Sequence, residues 1–240
     1  MNIRHHVGHL TAGLAAGLVL CAGSSAEITL YAQAPLPGTM DVGLGFYSSS
    51  IPRLTRNYKH ADDFTVPGGG TITRVRWWGL SEGLAYKNLT NVDQFHIELY
   101  RSVAGPGGIS MGELVLQADF ALADTNQTAT GRLNRRNQSI EYRHEVTLPS
   151  AFVAEPGVTY FLSIAARPKD IKRDAWGWQD GAYVNGASQN WSWESQTWSS
   201  FQDTDSSFEL IGTVPAPGTV PAAAVLLLGI RRRRASALRC

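Results

Sequence analysis

The chain has 240 residues, 43% of them apolar and 17% charged, with 24 glycines, 11 prolines and a formal net charge of +1. That length and balance exclude a disordered or collagen-like chain and allow one sizeable core or two small ones. The net charge hides an asymmetry: residues 27–213 carry 15 basic against 20 acidic side chains, a net of −5, which argues against a nucleic-acid partner.

The N-terminus reads as a processing segment. Arg4 opens it, "TAGLAAGLVLCAG" supplies an apolar core too short to span a membrane, and Ser24-Ser25-Ala26 offers small residues before Glu27. This is the layout of a secretory signal peptide over 1–26, with cleavage between Ala26 and Glu27. Leu20 stands before Cys21, where a lipoprotein signal places a small residue. Cys21 and Cys240 are the only cysteines, so the body between the two ends has neither a disulfide nor a thiolate metal site.

From residue 60 onward, period-two alternation recurs. "HADDFTV" runs into a Pro67–Gly70 turn, with Asp62 on the parity of Phe64 and Val66 and Asp63 facing solvent. "TITRVRWW" sets Thr73, Val75 and Trp77 inward and Arg74, Arg76 and Trp78 outward. "FHIELYR" puts Phe95, Ile97 and Leu99 on one face and His96, Glu98 and Tyr100 on the other. "GELVLQADF" follows. "EYRHEVTL" places Tyr142, His144, Val146 and Leu148 opposite Glu141, Arg143, Glu145 and Thr147. "VTYFLSI" sets Val158, Tyr160, Leu162 and Ile164 against Phe161, and "SSFELIG" closes the series. Roughly nine or ten short strands with turns at this spacing predict an all-β, two-sheet antiparallel β-sandwich of jelly-roll type over 27–213.

Candidate chemistry is sparse. Gly108-Ile109-Ser110-Met111-Gly112 fits the G-x-S-x-G nucleophile pattern, but strand-like sequence follows where that motif needs a helix, so a hairpin loop is expected. His60, His96 and His144 lack metal-ligand spacing, and His144 reads as a hydrogen-bonded core histidine. No catalytic residue and no cofactor are predicted. Asp203 and Asp205 are weak calcium candidates without a full calcium-loop pattern. Trp176, Trp178, Trp191, Trp193 and Trp198 crowd one stretch. Most of the two W-x-W pairs should fill the core. Trp78, outward by parity, and Tyr100 are the candidates for glycan stacking.

Residues 214–240 form a tail. Val214-Pro215-Ala216-Pro217-Gly218-Thr219 is an extended linker, Ala222 to Ile230 is an unbroken apolar run, and Arg231, Arg232, Arg233 and Arg234 act as a stop by the positive-inside rule. Linker, short span and arginine cluster together resemble the C-terminal sorting signal of PEP-CTERM proteins, with Ala216 where that family usually has glutamate. The body, through "ADDFTVPGGGTITRVRWWG", "FHIELYR", "YFLSI" and "WGW", is similar to β-sandwich domains found in such proteins. The resemblance implies export by a Gram-negative bacterium that makes extracellular polysaccharide. It also implies transient inner-membrane anchoring, processing by the partner exosortase, and release to the cell surface or matrix. A non-enzymatic carbohydrate-binding or structural role is expected, with extracellular polysaccharide as the partner. The alternative is a secreted glycan-active enzyme, a polysaccharide lyase or glycoside hydrolase, which needs paired carboxylates or a Tyr/His/Arg group in one groove.

Overall fold

A computed structural model describes residues 26–36, 46–48, 58–80, 89–105, 108–134, 138–170, 176–182, 187–192, 194–202 and 205–215. Among the described residues thirteen strands make up the fold: β1 (Ile28–Gln33), β2 (Phe46–Tyr47), β3 (Tyr58–Thr65), β4 (Gly70–Leu80), β5 (Val92–Gly105), β6 (Gly108–Ala121), β7 (Asn126–Leu133), β8 (Ile140–Ala154), β9 (Thr159–Pro168), β10 (Gly177–Trp178), β11 (Ala187–Ser192), β12 (Thr197–Gln202) and β13 (Phe208–Thr213). Two single turns of 3-10 helix, at Leu89–Asn91 and Leu122–Asp124, are the helical elements among the described residues.

All strand pairings within the two sheets are antiparallel. In the seven-stranded sheet β4 is the hub: it pairs with β13, β8 and β10, β13 carries β1, β8 carries β7, and β10 carries β2. The six-stranded sheet has the order β12-β11-β3-β9-β5-β6. The expected sandwich is therefore present, with two curled sheets packed over one core. Alternation builds that core. Ile72, Val75, Trp77, Val146, Phe208 and Leu210 from the first sheet meet Phe64, Phe95, Ile97, Leu99, Leu162 and Ile164 from the second, all buried. Trp176 and Trp178 lie in the same core, 6.5 Å apart and roughly parallel. Trp176 packs so tightly on Gly79 that a Cβ there would stand 2.2 Å from the indole nitrogen, so only glycine fits.

Three side chains depart from the sequence expectation. Thr73 does not share the inward face of Val75 and Trp77. The register between β4 and β8 slips between Ile72 and Arg74, where Pro149 interrupts β8 and cannot donate to the ladder; Ile72 takes the core position, and the Thr73 hydroxyl donates to Glu27 at 2.7 Å. Glu141, expected outward, is buried beneath β7, where the Thr130 hydroxyl donates to it at 2.6 Å. Asp63, expected in solvent, is 3% exposed for a reason that the curl of the second sheet supplies below.

His144 lies in the core as expected, but among the described residues neither of its ring nitrogens has a hydrogen-bond partner. Instead it stacks on Trp77 (centroids 5.2 Å, 18°) and meets Phe95 at 4.9 Å. Burial pushes its pKa down to about 3. A histidine lowered this far is neutral in the folded protein, so stability is lost as pH falls from the unfolded value of 6.5 through about 3. His144→Phe keeps the ring stack and removes a buried polar group worth ~1–3 kcal/mol when unsatisfied. Thermal melts from pH 8 to pH 4 should show the variant at least as stable as the wild type at neutral pH. Its advantage should grow in acid.

Candidate functional site

β9 is enclosed along most of its length: Tyr160 through Ala166 are all buried, on both faces. One face is the sandwich core. The other is covered because the six-stranded sheet rolls up on itself. Tyr100 on β5 and Trp198 on β12 are separated by three intervening strands, which in a flat sheet would put them roughly 19 Å apart at ~4.8 Å per strand. Their rings meet edge to face at 5.7 Å. The Gln189 side-chain amide on β11 also donates to the Ile109 carbonyl on β6 at 3.3 Å. The roll thus encloses a second interior, which buries Asp63, Phe161 and Ser163.

Cross-strand register brings a line of charge into it. Trp191 faces Lys59 across β11 and β3, and His96 and Glu98 face Ala165 and Ser163 across β5 and β9. His96 also faces Asp119 on β6. The Lys59 ammonium donates to Glu98 at 2.6 Å. His96 is clamped between two carboxylates, Nε2 to Glu98 at 3.0 Å and Nδ1 to Asp119 at 2.5 Å. Lys59 further lies 5.9 and 5.7 Å from the ring centres of Trp191 and Trp198. The two indoles are 5.5 Å apart, and together with Tyr100 they form an aromatic wall, each ring half-buried. Asp119 stands at the mouth with 53% of its side chain exposed.

The electrostatics follow from the pairing. Burial alone would raise the Glu98 carboxyl, but His96 and Lys59 overturn that and pull it down to about 2. The hydrogen bond to Glu98, opposed by burial and aided by Asp119, raises His96 above its ordinary value. Burial, reinforced by the Glu98 charge, raises the Tyr100 phenol.

A second group of carboxylates lies nearer the core. Asp62 is fully buried, accepts the backbone N–H groups of Asp63 and Ser206, and, with the Gln33 amide turned so that its nitrogen faces the carboxylate, takes a hydrogen bond from it at 2.9 Å. Burial raises its pKa well above the usual range, against the pull of the Ser206 N–H and with help from Asp205 and Asp63. Asp205, a calcium candidate, is buried here, while Asp203 lies outside the described residues. Among the described residues, no set of three or more His, Cys, Asp or Glu side chains is arranged to hold a metal ion.

The other sequence candidates are dispersed. Trp78 and Tyr100 do not come together: Trp78 is half-buried on the outer face of the seven-stranded sheet opposite Arg143, and Tyr100 lies inside the roll of the other sheet. Trp191 belongs to the aromatic wall rather than the core, and Trp193 lies outside the described residues. Ser110 pairs with Val103 in the hairpin of β5 and β6, where Gly108 takes a positive φ of 117°. His60 is buried, its Nδ1 2.8 Å from the Asn190 side-chain oxygen, and burial pushes its pKa down to about 4. Ala26 and Glu27 are exposed, as are Val214 and Pro215; Ala216, Pro217, Gly218, Thr219 and Arg231 to Arg234 lie outside the described residues. Lys59, Glu98, Asp119, Trp191 and Trp198 were not singled out together by the sequence. The shared face of His96, Glu98 and Tyr100 was visible, but its partners depend on strand order.

Fold and site define a class: an all-β sandwich in which one sheet rolls around a polar interior with an aromatic wall. Residues 29–214 match the family described as a domain of unknown function (DUF7901), and the chain belongs to that family. No curated protein and no solved structure matches it. No helix of the described residues is long and apolar enough to cross a membrane.

The charge line has a definite pH signature. Glu98, depressed when folded, contributes stability above the unfolded value of 4.5 that is lost as pH falls through about 2. His96, raised when folded, contributes stability below 6.5 that is lost as pH rises through its folded value. The melting-temperature advantage of the wild type over Glu98→Gln should therefore peak between pH 4.5 and 6.5 and shrink on both sides. An advantage that does not vary with pH would show that the line is not ionised as described.

Proposed function

We propose that this chain is an exported, non-enzymatic carbohydrate-binding protein, a sandwich of jelly-roll type that takes polysaccharide in a groove along the half-exposed aromatic wall at the mouth of its rolled sheet, beside Asp119. The observation that carries this reading is the wall of Tyr100, Trp191 and Trp198 beside the hydrogen-bonding groups His96, Glu98 and Asp119. Sugar rings stack through C–H faces on half-exposed aromatic rings, while their hydroxyls need polar partners at the rim.

The glycan-cleaving alternative has one feature in its favour: two carboxylates, Glu98 and Asp119, flank a single imidazole. A glycoside hydrolase, however, needs one carboxylic acid held protonated near neutral pH. Here Glu98 is driven the other way, to about 2, with Lys59 and His96 both holding it ionised. Binding is therefore the favoured role.

Localisation rests on the two ends. The signal-peptide pattern of 1–26 supports export. The tail from Val214, with its proline linker, apolar run and Arg231 to Arg234, supports transient inner-membrane anchoring, processing by exosortase, and release to the surface or matrix.

Two measurements test this. On a polysaccharide array, Trp198→Ala in the full-length chain should weaken binding about tenfold, a loss of ~1.4 kcal/mol. Trp78→Ala should leave it unchanged, and equal effects would remove the groove from the reading. In a polysaccharide-producing Gram-negative host, replacing Arg231 to Arg234 by serine should leave the C-terminal tail untrimmed; normal trimming between Val214 and Thr219 would remove the sorting reading.

A further inference from the structure

The charges in the groove cancel in pairs, and this bears on which glycans can enter. Lys59 is committed to Glu98 at 2.6 Å and is itself buried, with the Trp191 and Trp198 rings against it. His96 faces a carboxylate from each ring nitrogen, so both nitrogens donate and the ring is an imidazolium. The line reads Lys59 positive, Glu98 negative, His96 positive, Asp119 negative, with the last carboxylate turned to solvent.

From this we infer, resting on the carbohydrate-binding reading, that the groove selects uncharged glycans and rejects acidic ones. A uronate, sulfate or phosphate group would need a cation not already satisfied. Taking Lys59 or His96 would strip Glu98 of its counter-charge in a buried setting, which is far more costly than leaving the pair intact. On the way in, the anion would also meet the exposed Asp119. An uncharged sugar meets none of these barriers. Its hydroxyls donate to the outer oxygen of Asp119, and its C–H face lies on the half-exposed Trp198 ring.

Charged groups face this line from each neighbouring strand. Glu98 shares β5 with His96, Asp119 comes from β6 and Lys59 from β3. Arg167 stands at the rim, two residues beyond Ala165 on β9, exposed and opposite Gln94. Among the described residues, Arg167 is an exposed cation on this face of β9 through which an acidic chain could bind if the selection did not hold.

Matched glycan pairs of one backbone provide the test: β-1,4-glucan oligosaccharides with their C6-carboxylated forms, and polygalacturonate with its fully methyl-esterified form. The purified full-length chain is titrated with each by calorimetry. For whichever backbone binds, the uncharged member should be tighter by about tenfold or more, since like-charge encounter and an unpaired buried carboxylate both oppose its partner. Its affinity should change little between about 0.05 and about 0.5 M NaCl, because no ion pair forms with the ligand. Tighter binding of the carboxylated member, weakened by salt and lost in Arg167→Gln, would overturn the selection while leaving carbohydrate binding in place. No binding of the wild-type chain to either member of any pair would overturn both.

Discussion

The contact between Tyr100 and Trp198 is the closure on which the second half of the molecule depends. By bringing β12 round to β5 it turns the outer face of a six-stranded sheet into an interior. Three strands, β3, β9 and β5, are then covered on both sides over their central residues, and each of those residues must satisfy one of two interiors. Alternate positions go to the apolar sandwich core. The intervening ones, Lys59, Asp63, Glu98 and Ser163 among them, go into a polar interior where every charge needs a partner. The ion line is thus a consequence of the roll as much as a feature of the groove.

The two interiors also differ in what they tolerate. The sandwich core accepts the neutral imidazole of His144 with no hydrogen bond from the described residues, because its ring packs as an aromatic between Trp77 and Phe95. The rolled interior handles its histidine in the opposite way, as a cation between two acids. Two histidines 48 positions apart in the sequence are driven to opposite charge states by their surroundings alone, one by desolvation and the other by neighbouring carboxylates.

Much of this was legible in the chain. The alternation of "FHIELYR" placed Phe95, Ile97 and Leu99 in the core and grouped His96, Glu98 and Tyr100 correctly, because side chains alternate strictly along an unbroken strand. Parity failed at Thr73, where the slip opposite Pro149 reset the face, a long-range event invisible to a local pattern. It also failed at Asp63, since period two reports which residues share a face but not whether that face meets water. The partners of Glu98 were out of reach for a similar reason. Lys59 and Asp119 lie 39 and 21 positions away, and only the order of strands in the sheet brings them together.

β1 and β13 lie side by side, with Ile28 opposite Gly212, so the chain enters and leaves the domain at neighbouring points. A load applied between Glu27 and Val214 would act on one rung of that ladder at a time and peel the strands apart like a zipper, instead of shearing all their hydrogen bonds together. Such a domain resists tension poorly when held by both ends. Held by a single end, it transmits no pull through its own sheets, and the rolled sheet keeps its shape.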